Sequence, residues 1–285
     1  MIKFEHTEVY GWEAAIRGMR NPLNSWAKSD SGWNHDDPDP KTNIYVDEDF
    51  EGYNSLTIGP NDQDLMMRLR NAGTDHRKFM RMINVTVDIT APLYWWKEFD
   101  TYKVGTVANS CSTMHKIHAN EFTLEDFSCE HLLNDHPSGF EYPTMKFQAN
   151  EYVEDEEFLT PLGLLGKTIE VLNVMRYRYL KTKDKIWWWQ MIQLLPTSYN
   201  QKRTVMLNYE VLANIYKSRK NHKLDEWSVG FIQWIESLPY SEIITGKEKK
   251  LELNPEAGIT NEEAWKRIAI TGHFRERRFE MLKGE

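Results

Sequence analysis

Residues 84–92 read Asn-Val-Thr-Val-Asp-Ile-Thr-Ala-Pro. Val85, Val87 and Ile89 alternate with Thr86, Asp88 and Thr90, the period of two that turns one side of an extended chain toward a core and the other toward water. Ala91-Pro92 is expected to stop or turn this strand, because proline restricts the residue before it and has no N–H to donate. Just upstream, Gly59-Pro60-Asn61-Asp62 reads as a turn and helix cap, and Leu65, Met66 and Leu69 follow at helical spacing, which predicts a helix to about Ala72. Shorter strands are expected at Ile2–Phe4 and Ser55–Ile58. Between them, Ser29–Glu51 is polar, acidic and proline-bearing and reads as an inserted loop.

Downstream the pattern becomes helical. Leu165, Ile169, Leu172, Met175 and Tyr179 form one apolar stripe entered at Pro161 and Gly163, and Ile186–Leu195 is a second apolar segment. The turn-like Pro196–Asn200 precedes a predicted helix from about Thr204 to Lys220. Another helix is expected to carry Trp227, Phe231, Trp234, Ile235 and Leu238 and to end at Pro239, and a last one lies around Glu262–Arg278. With no internal repeat, this gives an α/β (α+β) class. We read one core domain over 1–245 with an acidic loop insertion near 29–51, and a charged extension over 246–285.

The chain of 285 residues, 40% apolar and 27% charged, with 11 Trp, 13 Tyr and 12 Phe, has the composition of a protein that folds around a large core. Its formal charge of -8 offers no general attraction to nucleic acid or anionic membrane, so an anionic ligand would need a locally basic pocket. Cys111 and Cys129 are too few for a disulfide framework and lack the spacing of a zinc site, which points to a reducing compartment. Met1–Gly11 carries charges and aromatics where a secretion signal would have an apolar run, and no stretch is long and apolar enough to cross a bilayer. A cytoplasmic protein without membrane or nucleic-acid partners is the expectation.

Several residue groups are candidates for chemistry. Asn208 and Arg219 are separated by about three helical turns and so fall on one helix face, with Leu212 and Ile215 between them. An amide that reads ring or ribose edges, with a guanidinium that grips phosphate, suits an anionic heteroaromatic ligand. A surface helix with a solvated Asn and a snorkelling Arg is the plainer alternative. Asn214 falls on another side of that helix. Cys111 and His115 have the spacing of a nucleophile and its base on one helix face, or of a small packed Cys beside an unrelated His. His35, Asp36, Asp37 and Asp39 read as a solvated acidic loop, not a hard-cation site, given Pro38 and Pro40 and the absence of a ligand spacing. Trp95-Trp96 and Trp187-Trp188-Trp189 supply core area or a stacking platform for a ring.

The run from Leu195-Pro196 through Asn208, Asn214 and Arg219 resembles the carboxy-terminal block of the flavin-dependent thymidylate synthases, which has a Leu-Pro followed by two Asn and an Arg at these separations. His76, before a strand ending in Ala91-Pro92, is similar to that family's flavin-contacting His before a strand with the same ending. The family signature, Arg-His-Arg-x-x-Ser-x-Asn-Glu-x-Ser-x-Arg, then faces Thr101-Tyr102-Lys103-Val104-Gly105-Thr106-Val107-Ala108-Asn109-Ser110-Cys111-Ser112-Thr113. Lys103 stands for an Arg, Thr106 for the first Ser, and, with one residue inserted, Asn109 with Ser112 for the Asn and second Ser. The first Arg and His become Thr101 and Tyr102, the Glu becomes Ser110, and the family's basic residue before the Leu-Pro falls at about Ile192.

The resemblance implies a mixed or antiparallel sheet packed with long helices. It implies FAD bound by His76, Tyr102, Lys103, Asn208 and Asn214, and a pyrimidine deoxynucleotide such as dUMP bound by Asn109, Ser112, Thr113 and Arg219. Lys103 and Ser112 would take the catalytic positions, and NADPH and methylene-tetrahydrofolate would be co-substrates in a one-carbon transfer to the uracil ring. It further implies a homo-oligomer, a tetramer in the family, with sites at subunit interfaces. A non-catalytic nucleotide-binding or interaction protein on the same scaffold is the alternative, because the signature Arg and His that make the pocket electropositive are replaced.

Overall fold

The structure, a computed structural model, describes residues 2–34, 55–134 and 160–247. Its elements in chain order are β1 (Lys3–Tyr10), α1 (Trp12–Arg20), β2 (Gly32–Asn34), β3 (Ser55–Thr57), α2 (Pro60–Asn71), β4 (Asn84–Pro92), α3 (Leu93–Phe99), β5 (Val107–Ser110) and α4 (Thr113–Lys116). They continue as α5 (Pro161–Thr182), α6 (Lys185–Leu194), β6 (Asn200–Asn208), α7 (Tyr209–Arg219), a π-helical segment Glu226–Phe231, α8 (Ile232–Ser237) and α9 (Glu242–Thr245). The acidic run at His35–Asp39 and the expected helix at Glu262–Arg278 lie outside the described residues.

Four strands form one antiparallel sheet in the order β1-β4-β6-β5, and β2 pairs with β3 separately. The α/β class is therefore as expected, with a purely antiparallel main sheet. β4 is its centre: Val85, Val87 and Ile89 are fully buried while the residues between them are half-exposed, the alternation the sequence shows. Ala91-Pro92 ends the strand, as expected. The ladder runs to Pro92 opposite Asn200, and Pro92 is tolerated because it is the last strand residue, with α3 starting at the next position.

Two readings are corrected. β1 runs past Phe4 to Tyr10, as an edge strand with a register shift between Glu5 and Glu8 where His6 takes φ 51°. More important for the site, Thr204–Asn208 is not helical. It is the second half of β6, paired with β4 from Asn84↔Asn208 to Pro92↔Asn200. Asn208 is then the cap of α7, its side-chain oxygen accepting the Val211 N–H at 3.1 Å.

One face of the sheet packs on an aromatic core. Trp95, Trp96 and Phe99 of α3 are buried, with Trp95 ring to ring against Trp227 at 4.5 Å and Phe99 at 5.1 Å, and Trp96 Nε1 donating to the Gln201 carbonyl at 2.9 Å. The Trp95-Trp96 pair is thus core. A second cluster joins α5 and α6 to Ile117, Phe122 and Phe127, with Leu172 and Met191 fully buried. The expected stripe Leu165, Ile169, Leu172, Met175 and Tyr179 faces this cluster, which explains why a helix of this length holds its place. No helix among the described residues is long and apolar enough to cross a membrane.

Candidate functional site

The first turn of α7 starts where β6 leaves the sheet, so the Asn208 cap and the helix axis are fixed by the central strand pair. Tyr209, Leu212 and Ile215 are fully buried and lock the helix against the core. The segment 101–106, which follows α3, runs along the helix between Asn208 and Arg219. A Cβ on Gly105, which has φ +78°, would lie 3.1 Å from Asn208 Nδ2 and 3.0 Å from Val211 Cγ2, so the loop backbone approaches the helix start closely where only glycine fits without adjustment. At the other end Tyr102 meets Ser218 and Arg219. The loop therefore runs antiparallel to α7, and the two blocks that carry the family resemblance face each other.

Arg219 is the best-held polar group of this strip. Its Nε donates to Tyr102 Oη at 2.8 Å and its Nη1 to Glu98 Oε2 at 2.9 Å, and its guanidinium carbon lies 5.0 Å from the centre of the Trp227 ring and 5.6 Å from that of Tyr102. Glu98 Oε2 also accepts Trp227 Nε1 at 3.0 Å and is 3.4 Å from His222 Nε2. Tyr102 Oη is 3.3 Å from Ser218 Oγ, and the Thr106 hydroxyl closes the loop by donating to the Tyr102 carbonyl. Lys103 follows Tyr102 directly and is exposed.

The flank of α7 one quarter-turn round meets the turn after α2. Arg77 forms an ion pair with Glu210, Nε to Oε2 at 2.8 Å, and its Nη2 donates to Asn214 Oδ1 at 3.0 Å. Glu210 is buried, so its charge requires this partner. His76, next to Arg77, is exposed. Asn214 thus stands on a second wall, and it brings with it the turn that carries His76.

The remaining predicted positions lie farther along the chain. Asn109 is in β5, paired with Thr204 of β6, and all four residues of β5 are exposed. Ser112 caps α4, its Oγ accepting the His115 N–H at 3.0 Å, and Thr113 is the first residue of that helix. Cys111 is not on a helix face with His115. It sits between β5 and α4, exposed, with its N–H donated to the Lys202 carbonyl at 2.9 Å and its carbonyl accepting Gln201 Nε2 at 2.8 Å, so it extends the sheet edge. Ile192 packs with the second core, so no charge stands where the family has its basic residue. No group of three or more His, Cys, Asp or Glu among the described residues is placed to hold a metal ion.

Structures of known proteins share this architecture. Thymidylate synthase X from Helicobacter pylori, solved with FAD and dUMP, aligns with a TM-score of 0.50 at 14% identity over 85% of this chain and 94% of that one. The fold is ThyX-like. A second flavin-dependent ThyX structure from the same organism, complexed with FAD and dUMP, gives 0.50 at 15% identity over 85% and 95%. The UMP/dUMP methylase PolB of Streptomyces cacaoi bound with 5-Br dUMP gives 0.50 at 13% over 86% and 94%. No protein-family model matches the chain, and no curated protein does. At these identities the ThyX likeness is one of fold, and the site must be argued from this chain's own residues.

Sequence reasoning missed Glu98, Arg77, Gly105 and the role of Trp227. Arg77 had a usable signal, being the neighbour of His76. Glu98 had none, because a lone acid in an aromatic helix reads as its solvated face.

Proposed function

We propose that this protein binds FAD and a pyrimidine deoxynucleotide, dUMP being the first candidate, on the faces of α7. The observation that carries the reading is Arg219, an arginine oriented by Tyr102 and Glu98 and flanked by two aromatic rings, beside a loop bearing Lys103. In this reading Arg219 holds the phosphate, and Asn109, Ser112 and Thr113 address the base and sugar. Ser112 keeps its hydroxyl proton available while its oxygen caps α4.

The donor set fits a flavin. Asn208 and Asn214 both use their side-chain oxygens within the protein, which leaves their amide N–H groups as donors without a partner among the described residues. Those donors, with Tyr102 and His76, suit the acceptor-rich edge of an isoalloxazine ring, and Lys103 suits its pyrophosphate. When bound, FAD would supply two-electron transfer.

The reaction class we assign is one-carbon transfer to dUMP. The methylene group of methylene-tetrahydrofolate would be transferred to C5, the C5 hydrogen leaving as a proton and tetrahydrofolate being released, and reduction to methyl takes two electrons, which NADPH would provide. What the protein contributes is binding and orientation. A second reading, nucleotide binding without turnover, is favoured by Ile192 in the second core and by Thr101 and Tyr102 in place of an Arg and a His. A product assay with dUMP, methylene-tetrahydrofolate, FAD and NADPH separates them. Thymidylate formation supports the enzyme; a flavin absorbance band and dUMP-dependent thermal stabilisation without product support the binder; none of these sinks both.

The reading includes a homo-oligomer. Leu164, Val171, Val174 and Tyr177 of α5 and Ile186 and Trp189 of α6 are large, apolar and exposed, Tyr177 at 60% and Ile186 at 54%. Val171→Asp with Val174→Asp should reduce the assembly measured by sedimentation while the circular-dichroism spectrum stays folded. An unchanged mass would remove this face from the interface.

A further inference from the structure

A planar guanidinium offers two edges to a bidentate anion, one formed by Nε with Nη2 and the other by Nη1 with Nη2. In Arg219 both are half-occupied. Nε is on the Tyr102 hydroxyl and Nη1 on the Glu98 carboxylate, while Nη2 has no hydrogen-bond partner among the described residues. The Tyr102 hydroxyl is neutral and is also within reach of Ser218 Oγ at 3.3 Å. Glu98 is an anion, and it presents the same kind of oxygen that a phosphate would. Its side chain is 36% exposed, so leaving Arg219 for water costs it little, and Trp227 Nε1 at 3.0 Å and His222 Nε2 at 3.4 Å remain to hold it.

We propose that Glu98 is an internal competitor for the phosphate of the nucleotide. It holds Arg219 in place when no nucleotide is bound and yields the Nη1–Nη2 edge to the incoming anion, and so it sets the affinity for phosphorylated ligands. The inference rests on the reading of Arg219 as the phosphate-contacting residue. Removing the Glu98 charge therefore improves binding. An acid that merely orients Arg219 would have the opposite effect.

The test is calorimetric titration of full-length protein, saturated with FAD, with dUMP and separately with 2′-deoxyuridine. Glu98→Gln should bind dUMP about fivefold more tightly than the wild type, the size expected for loss of one half-exposed ion pair, with 2′-deoxyuridine unchanged because it brings no phosphate. Glu98→Asp, which withdraws the carboxylate by one methylene, should shift dUMP in the same direction and serves if the Gln variant folds poorly. Unchanged or weaker dUMP binding in both variants, or equal shifts for both ligands, overturns the inference while the wild-type binding leaves the proposed function standing. If the wild type itself binds no dUMP, the proposed function and this inference fall together.

Discussion

Replacing Arg219 with Ala should lower dUMP affinity by about 2–3 kcal/mol, or roughly 30- to 150-fold, the loss expected for a charge-assisted pair of hydrogen bonds to an anion. The fold should be nearly indifferent, because the partners left behind are Tyr102 and a Glu98 that water can solvate. Arg219→Lys should fall between the two, since it keeps the charge and loses the planar fork. Calorimetry with dUMP, beside a thermal melt of each variant, checks both statements. An Arg219→Ala protein that melts normally and binds dUMP as well as wild type would remove Arg219 from the site.

The second large effect concerns stability. Asp62 is fully buried at the start of α2, and its Oδ1 accepts Arg20 Nε at 2.6 Å. Its Oδ2 accepts the Ser29 and Ser31 hydroxyls, each at 2.7 Å, and the backbone N–H groups of Asp30 and Ser31, each at 3.1 Å. This carboxylate therefore ties residues 29–31 and α1 to α2. Burial pushes its pKa up, but the hydrogen bonds from Ser31, Ser29 and Arg20 and the Arg20 charge outweigh that and hold it below the ordinary carboxylate value. Asp62→Ala leaves Arg20, itself buried, without its counter-ion, and should cost about 3–5 kcal/mol in urea unfolding.

The pH dependence follows in sign. A carboxyl with a depressed folded pKa contributes stability that is complete above its unfolded value of about 3.9 and is lost as pH falls through the folded value. The gap between wild type and Asp62→Ala should be flat above about pH 5 and shrink below about pH 4. A gap that widens on acidification would contradict the assignment.

The sequence made the centre of this fold readable and hid its second strand. β4 announces itself because its inward positions Val85, Val87 and Ile89 are all β-branched and apolar. β6 has the same period, but its inward set is Gln201, Arg203, Val205 and Leu207. Gln201 is buried because its amide reaches Cys111, and Arg203 packs its guanidinium over the Trp96 ring at 4.2 Å while pairing with Asp100. Two polar side chains on the core face erase the alternation, and Val205 and Leu207 then join the apolar pattern of α7 as if one helix ran through. Asn208 is an extended cap and not a residue of the expected helix, yet it and Arg219 both lie along the segment 101–106, the first against Gly105 and the second bonded to Tyr102. The contacts of Glu98 with Arg219 and Trp227 span long sequence separations, and no local pattern encodes them.

A crystal structure of the full chain grown with FAD and dUMP tests the central claim most directly. The account predicts the nucleotide phosphate within hydrogen-bond distance of the Arg219 guanidinium, with the flavin ring against Asn208 and Asn214. Density for either ligand on a surface away from α7, with Arg219 still seated on Glu98 and no phosphate near it, would contradict it.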